Sequence, residues 1–242
     1  MRVIENIFTA LIRHEYARSM SFGPIHEDDE LPTPAPGVTY QLYLHIPFCL
    51  SLCPFCSFHR VEYQPDLADR YFEALRKEIR RYGEQGFVFD DLYVGGGTPT
   101  VNEGQLLRTL DMCNELFPIR GISVETNPSD LRPELLHALR DRGVRRLSVG
   151  VQSFDDGLLK SMERYEKYGS GQSIVRALEG ARGIFPTLNV DMIFNLPGQT
   201  EASLAHDLDT LLAVRPEQVS YYPLMVADSA RRRVAESMGP LR

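Results

Sequence analysis

From residue 40 onward one pattern repeats: a short β-branched or apolar run, a loop bearing Gly or Pro, then a stretch of helical periodicity. Strands are predicted over 40–46, 91–95, 121–126, 146–151, 188–194 and 218–224, and helices near 66–82, 103–116, 132–142, 155–164, 171–184 and 200–213. Pro65, Pro133 and Asp155 mark helix starts and Gly143 a stop. Strands separated by helices lie parallel, with the helices covering them. The expected fold is therefore α/β, either an open, partial (β/α)6 barrel or a doubly wound sheet. In both, ligands bind beyond the carboxyl ends of the strands. The unusual residues of this chain fall at those ends.

The chain has 242 residues, a length that suits one large domain with a sizeable core. Before residue 40 the pattern differs. Ile4, Ile7, Phe8, Leu11 and Ile12 share one helical stripe over 3–20, and the Pro-rich, acidic "GPIHEDDELPTPAPG" (23–37) reads as a linker. The expected organisation is a helix and linker over 1–39, followed by the α/β core over 40–242. A net charge of −7 argues against nonspecific nucleic-acid binding. The first apolar stretch carries Glu5 and Asn6, unlike a signal peptide, and no apolar run nears the roughly 18 residues of a membrane span. A cytoplasmic chain is expected, and there clustered cysteines serve as metal ligands or redox groups more often than as disulfides.

The first strand runs into "YLHIPFCLSLCPFCSFH" (43–59), with Cys49, Cys53 and Cys56 at spacing C-x3-C-x2-C. Four thiolates normally complete a four-iron cluster, so three leave one iron open to an external molecule. The alternative takes His59 as a fourth ligand, giving a Cys3His zinc site and a binding module with no redox role. Cys113, inside a helical stretch, is simplest as a buried apolar residue. Along the strand, Tyr43 and His45 face one side and Leu42, Leu44 and Ile46 the other. His45 is then either a lumen residue near the cysteines or a satisfied core histidine.

The remaining strand ends are also distinctive. "VGGGTPT" (94–100) either exposes peptide groups to a ligand or makes a tight turn. "SVETNP" (123–128) places Glu125 to accept bonds from hydroxyl or ammonium groups, or to sit in a rim salt bridge. "RRLSVGVQSF" (145–154) ends on Gln152, an amide that orients a ligand or satisfies the loop. "LNVDMIFNLPGQ" (188–199) carries Asp191 in an apolar run, where a buried carboxylate requires a partner, either a ligand or a basic residue such as Arg164. Tyr221 and Tyr222 read as core aromatics.

Together, "YLHIPFCLSLCPFC", "GGGTPT", "SVETNP", "LSVGVQSF" and "VDMIFNLPGQT" resemble the radical S-adenosylmethionine superfamily. More narrowly, they look like the oxygen-independent coproporphyrinogen III oxidase family and its haem-chaperone relatives. The resemblance covers about residues 40–226. It implies a [4Fe-4S] cluster on Cys49, Cys53 and Cys56, with S-adenosylmethionine on the open iron. An electron from the cluster would cleave the sulfonium bond, and the 5′-deoxyadenosyl radical would take a substrate hydrogen. Tyr43 would touch the nucleoside, Gly96, Gly97 and Thr98 would hold the methionine end, and Glu125 would bind polar groups of the same molecule. Phe55, Gln152, Arg164 and Asp191 match positions that hold a second S-adenosylmethionine in oxidase-like members.

A small-molecule substrate, a tetrapyrrole, and an electron donor such as flavodoxin or ferredoxin are implied in the same way. Two departures are visible. True oxidases carry a further cysteine two residues after the third ligand, where this chain has Phe58, which is closer to the haem-chaperone and other oxidase-like branches. The family's C-terminal covering domain would also be expected beyond Arg242, where this sequence stops. A fragment, or a cover supplied by another chain, is expected.

Overall fold

The computed structural model describes residue 14 and residues 33–240. The helix expected over 3–20 and the linker as far as residue 32 lie outside the described residues.

Six parallel strands form one sheet: β1 (Tyr40–Ile46), β4 (Phe89–Gly96), β5 (Gly121–Thr126), β6 (Val144–Gln152), β7 (Thr187–Phe194) and β8 (Gln218–Pro223), in that spatial order. All the pairings are parallel. Helices follow the strands: α1 (Pro65–Glu84), α2 (Glu103–Leu116), α3 (Pro133–Asp141), α4 (Asp156–Ser161), α5 (Tyr165–Tyr168), α6 (Gly171–Ala181) and α7 (Glu201–Val214), with α8 (Arg231–Ser237) after the last strand. The strand order never reverses. Right-handed crossovers along such a sheet carry every helix to the same face, so the doubly wound alternative, which needs a reversal, is excluded in favour of the partial barrel.

The residue pattern agrees. Leu44, Ile46, Leu92, Val94, Val124, Leu147, Val149, Val151, Leu188, Val190 and Met192 are buried under the helices. The alternate positions form the other face: Tyr43 and His45, Tyr93, Ser123 and Glu125, Arg146 and Ser148, Asn189 and Asp191, and Ser220. One face is apolar and covered; the other is polar and, among the described residues, uncovered by helices. At the carboxyl ends the two sides of the sheet approach each other: Ser57 Oγ, in the loop after β1, donates to Met225 O at 3.3 Å and accepts from Ala227 N at 3.1 Å.

Local signals explain the elements. Pro65 and Pro133 open α1 and α3, where a missing N–H costs nothing. Asp155 caps α4 by accepting from Leu158 N at 2.8 Å, and Gly143 takes φ 87° after α3. The helix expected over 155–164 ends at Ser161, and a second short helix begins only at Tyr165. Glu163 adopts φ 55°, and Arg164 N bonds back to Leu159 O, which turns the Arg164 side chain inward. Two further elements had no clear sequence signal, α8 and a small pair of strands, β2 (Phe48–Cys49) with β3 (Val61–Glu62).

The fully buried carboxylate is Asp207 of α7, not Asp191. It accepts from Phe154 N at 2.6 Å and from Ser153 Oγ at 2.9 Å, tying the loop after β6 to α7. Burial raises its pKa despite those bonds. The folded chain therefore holds this proton more tightly than the unfolded one. The group's contribution to stability is full below the ordinary carboxyl range and is lost as pH climbs through the raised value. Asp207→Asn should flatten the pH dependence of the urea midpoint from the ordinary carboxyl range upward; an unchanged slope would contradict this burial. The two-faced sheet predicts a second contrast. Leu147→Ala, on the covered face of β6, should cost about 2–5 kcal/mol in chemical denaturation, while Arg146→Ala beside it should cost far less.

Candidate functional site

The cysteine segment is a loop closed at its base. Cys49 pairs with Glu62 across β2 and β3, Val61 N donates to Pro47 O and Tyr63 N to Cys49 O, each at 2.8 Å. Within it a turn joins Cys56 N to Cys53 O at 3.3 Å, and Arg60 Nη2 donates to Cys53 O at 2.5 Å. Cys49 and Cys53 are buried, Cys56 is half-buried, and all three are free thiols.

Each sulfur faces one donor. Thr98 Oγ1 donates to Cys49 Sγ at 3.6 Å, Arg164 Nη1 to Cys53 Sγ at 3.5 Å, and the Phe58 backbone to Cys56. Burial pushes the Cys49 and Cys56 thiols up, while the Thr98 and Phe58 bonds oppose it. Donors aimed at sulfur favour the thiolate, the form that ligates iron. Among the described residues, no three His, Cys, Asp or Glu side chains converge as ligands of a single ion would. Thiolates that each take a different iron of a cluster need not converge. The His59 side chain is exposed, with its ring 6.1 Å from the His45 ring and its carbonyl 2.9 Å from His45 Nε2. The donor set thus fits a cluster better than a Cys3His zinc site.

The glycine run serves the neighbouring chain. A Cβ at Gly97 would lie 2.7 Å from Phe48 O and 2.9 Å from Pro47, and one at Gly96, where φ is 122°, would meet the His45 ring. The loop after β4 can therefore press against the end of β1, with Gly97 N on Ile46 O at 2.7 Å and Thr98 N on Phe48 O at 2.8 Å. Gly96 N is given to Glu125 Oε2 at 3.0 Å, and Tyr93 donates to Glu125 Oε1 at 2.6 Å. Burial and that carboxylate raise the Tyr93 pKa. Tyr43 stands over this group, largely exposed, with its hydroxyl 2.9 Å from His45 Nδ1 and its ring 5.9 Å from Tyr93. His45 is thus satisfied by Tyr43 and the His59 carbonyl. Glu125 is held by Tyr93 and Gly96 of the adjacent strand β4 and, among the described residues, is in no rim salt bridge with Arg or Lys.

The other predicted residues divide. Asp191 is half-buried on the polar face, and Ser148 and Asn189 donate to its two oxygens at 2.7 and 2.8 Å. Its partners are strand neighbours; Arg164 is directed elsewhere. Arg164 is buried, with Cys53, Asn127 Oδ1 and Gly150 O as acceptors and its guanidinium 4.2 Å from the Tyr168 ring. Gln152 follows a register shift in β6 and has φ 77°, a conformation that folds its amide back over Gly150. Phe55 packs in the core. Cys113 is fully buried, its pKa pushed up to about 12 by desolvation, as an apolar residue would be. Tyr222 is largely exposed, against the core reading.

A separate cavity of about 500 Å3 opens at the amino ends of the strands, lined by residues including Gln41, Asp91 and Arg145. It lies at the opposite end from the cysteines.

Residues 43–211 match the family description "Radical SAM superfamily". The chain belongs to that superfamily. Membership bears out the expected pair of cofactors, a [4Fe-4S] cluster and S-adenosylmethionine. The radical SAM chain is 38% identical over 194 residues to "Heme chaperone HemW" of Bacillus subtilis, covering 76% of this chain and 50% of that protein. It is 34% identical over 208 residues to "Oxygen-independent coproporphyrinogen III oxidase" of Escherichia coli, covering 81% and 45%. The solved structure described as "Coproporphyrinogen III oxidase (HemN) from Escherichia coli is a Radical SAM enzyme" superposes with TM-score 0.74 at 32% identity, covering 83% of this chain and 48% of that one. The chain spans about half the length of the curated relatives it matches. No helix of the described residues is long and apolar enough to cross a membrane.

The closeness of Gly97 to the cysteine-bearing turn gives a prediction. Gly97→Ala should destabilise the chain by roughly 1–3 kcal/mol, because the atoms a methyl would displace are backbone, and should lower iron per chain in anaerobic preparations. A variant matching wild type in both would show that this approach does not hold the loop.

Proposed function

We propose that this chain is the radical-generating core of a tetrapyrrole-handling protein, with the cluster on Cys49, Cys53 and Cys56 and S-adenosylmethionine at the remaining iron. The observation that carries the reading is the single donor set against each of the three sulfurs. When bound, the pair would supply one-electron reductive cleavage of the sulfonium, with methionine as the leaving group, and so hydrogen-abstracting radical chemistry.

The chain's own residues bind and orient. Tyr43 offers an exposed ring to the nucleoside, and Glu125, prearranged by Tyr93 and Gly96, keeps lone pairs for polar groups of the same molecule. Gly96, Gly97 and Thr98 frame the methionine end. Of the residues matched to a second S-adenosylmethionine, Gln152 and Asp191 stand half-buried at the polar face and are the two we place on a ligand. Phe55 and Arg164 are buried and support from behind. An electron-transfer protein such as flavodoxin or ferredoxin would feed the cluster, and the free thiols suit a reducing cytoplasm.

Oxidase-like turnover of a porphyrinogen is the first reading, supported by the likeness to the Escherichia coli oxidase in sequence and fold. Haem delivery on the same scaffold is the second. It is favoured by the 38% identity to a haem chaperone and by Phe58 in place of a further cysteine. Exposed Leu50, Phe58 and Met225, around the mouth, offer apolar area to a flat macrocycle in either case.

Anaerobically purified protein should be brown, hold about four irons per chain, and form 5′-deoxyadenosine after dithionite reduction; colourless protein with stoichiometric zinc would sink both readings. Cys53→Ala should abolish cluster binding. Oxidation of coproporphyrinogen III would decide for the oxidase, and tight haem binding without that oxidation for the chaperone.

A further inference from the structure

The hydrogen bonds behind Cys49 and Cys53 run in one direction. Arg164, only 4% exposed, donates from Nη1 to Cys53 Sγ at 3.5 Å and from Nη2 to Asn127 Oδ1 at 3.1 Å. Asn127 Nδ2 donates to Thr98 Oγ1 at 2.9 Å. Thr98 has one hydroxyl proton, and it goes to Cys49 Sγ at 3.6 Å. A guanidinium can only donate, so the amide must turn its oxygen to Arg164 and its nitrogen to Thr98. That orientation in turn leaves the threonine proton for sulfur. Asn127 is buried, and the proline behind it favours its extended backbone (φ −122°, ψ 162°).

We propose that Asn127 is a positioning residue for the iron–sulfur site. By accepting from Arg164 and donating to Thr98 it keeps one N–H on Cys53 and one O–H on Cys49, and so raises the reduction potential of a cluster bound there. The inference rests on the reading of the three cysteines as cluster ligands. Hydrogen bonds to ligating sulfur stabilise the extra negative charge of the reduced cluster, and outer groups that orient ligands tune the metal. Asn127 touches no sulfur. It acts by fixing which way two other donors point, across loops that follow β1, β4, β5 and β6.

The test compares anaerobically reconstituted wild type with Asn127→Asp, Thr98→Val and Thr98→Ser. The readings are iron per chain, midpoint potential, and the electron paramagnetic resonance spectrum of the reduced state. Asn127→Asp keeps the size and replaces the donor with an acceptor. Thr98 then gives its proton to the carboxylate and not to Cys49, and the potential should shift below wild type with iron retained. Thr98→Val removes the same proton without adding charge and should shift the potential the same way, while Thr98→Ser should hold the wild-type value. Wild-type potential and spectrum in iron-replete Asn127→Asp or Thr98→Val would overturn the proposal. If Asn127→Asp loses the cluster, the Thr98→Val and Thr98→Ser pair decides by the same readings. A wild type that binds no iron would instead overturn the ligand reading, and this inference with it.

Discussion

The strand order sets everything else. Six parallel strands that never double back place every crossover on one face of the sheet, so that face becomes apolar core and the other is left polar and, among the described residues, free of helices. Without this one-way order, Tyr43, Glu125 and Asp191 would lie under helices, where each would need a buried partner. With it, they line one concave polar surface whose upper rim carries the cysteines. The site is a consequence of the topology before it is a matter of individual residues.

Much of this was legible from the sequence, for physical reasons. Buried parallel strands are short apolar runs between Gly and Pro loops, and those runs located all six strands to within about two residues. Proline at helix starts and glycine at a helix end are local effects, and Pro65, Pro133 and Gly143 act as their chemistry dictates. The three cysteines stand out because thiols at such close, regular spacing point to metal ligation or redox chemistry. The break at Glu163 was not legible, since no Pro or Gly marks it. Its effect, turning Arg164 toward Cys53, comes from tertiary contacts that local propensity does not encode.

Some features depend on tertiary structure for instructive reasons. Asp191 looked like a buried charge because its strand is apolar, yet it sits on the face that helices leave open, and side chains of its own and the neighbouring strand satisfy it. The deeply buried carboxylate, Asp207, lay in an ordinary helical stretch and gave no such warning. The glycine run, read as either a ligand-facing stretch or a tight turn, has two positions where the end of β1 passes too close for any Cβ. Asn127 was within reach of sequence reasoning. It is a polar residue at a strand end, held extended by the following proline, but only the neighbouring donors show what its amide is for.

The bonds that surround the sulfurs bear on how such a protein can change. Their donors belong to separate segments: Thr98 after the second large strand, Asn127 after the third, Arg164 beyond the fourth, and Phe58 within the cysteine segment itself. No single loop is a self-contained module. A chimera that exchanged one of these loops with a distant relative would mismatch a donor with its acceptor, whereas moving the group together would preserve the pattern. Diversification of this scaffold is therefore freest at the exposed rim and most constrained where several loops meet behind the thiols.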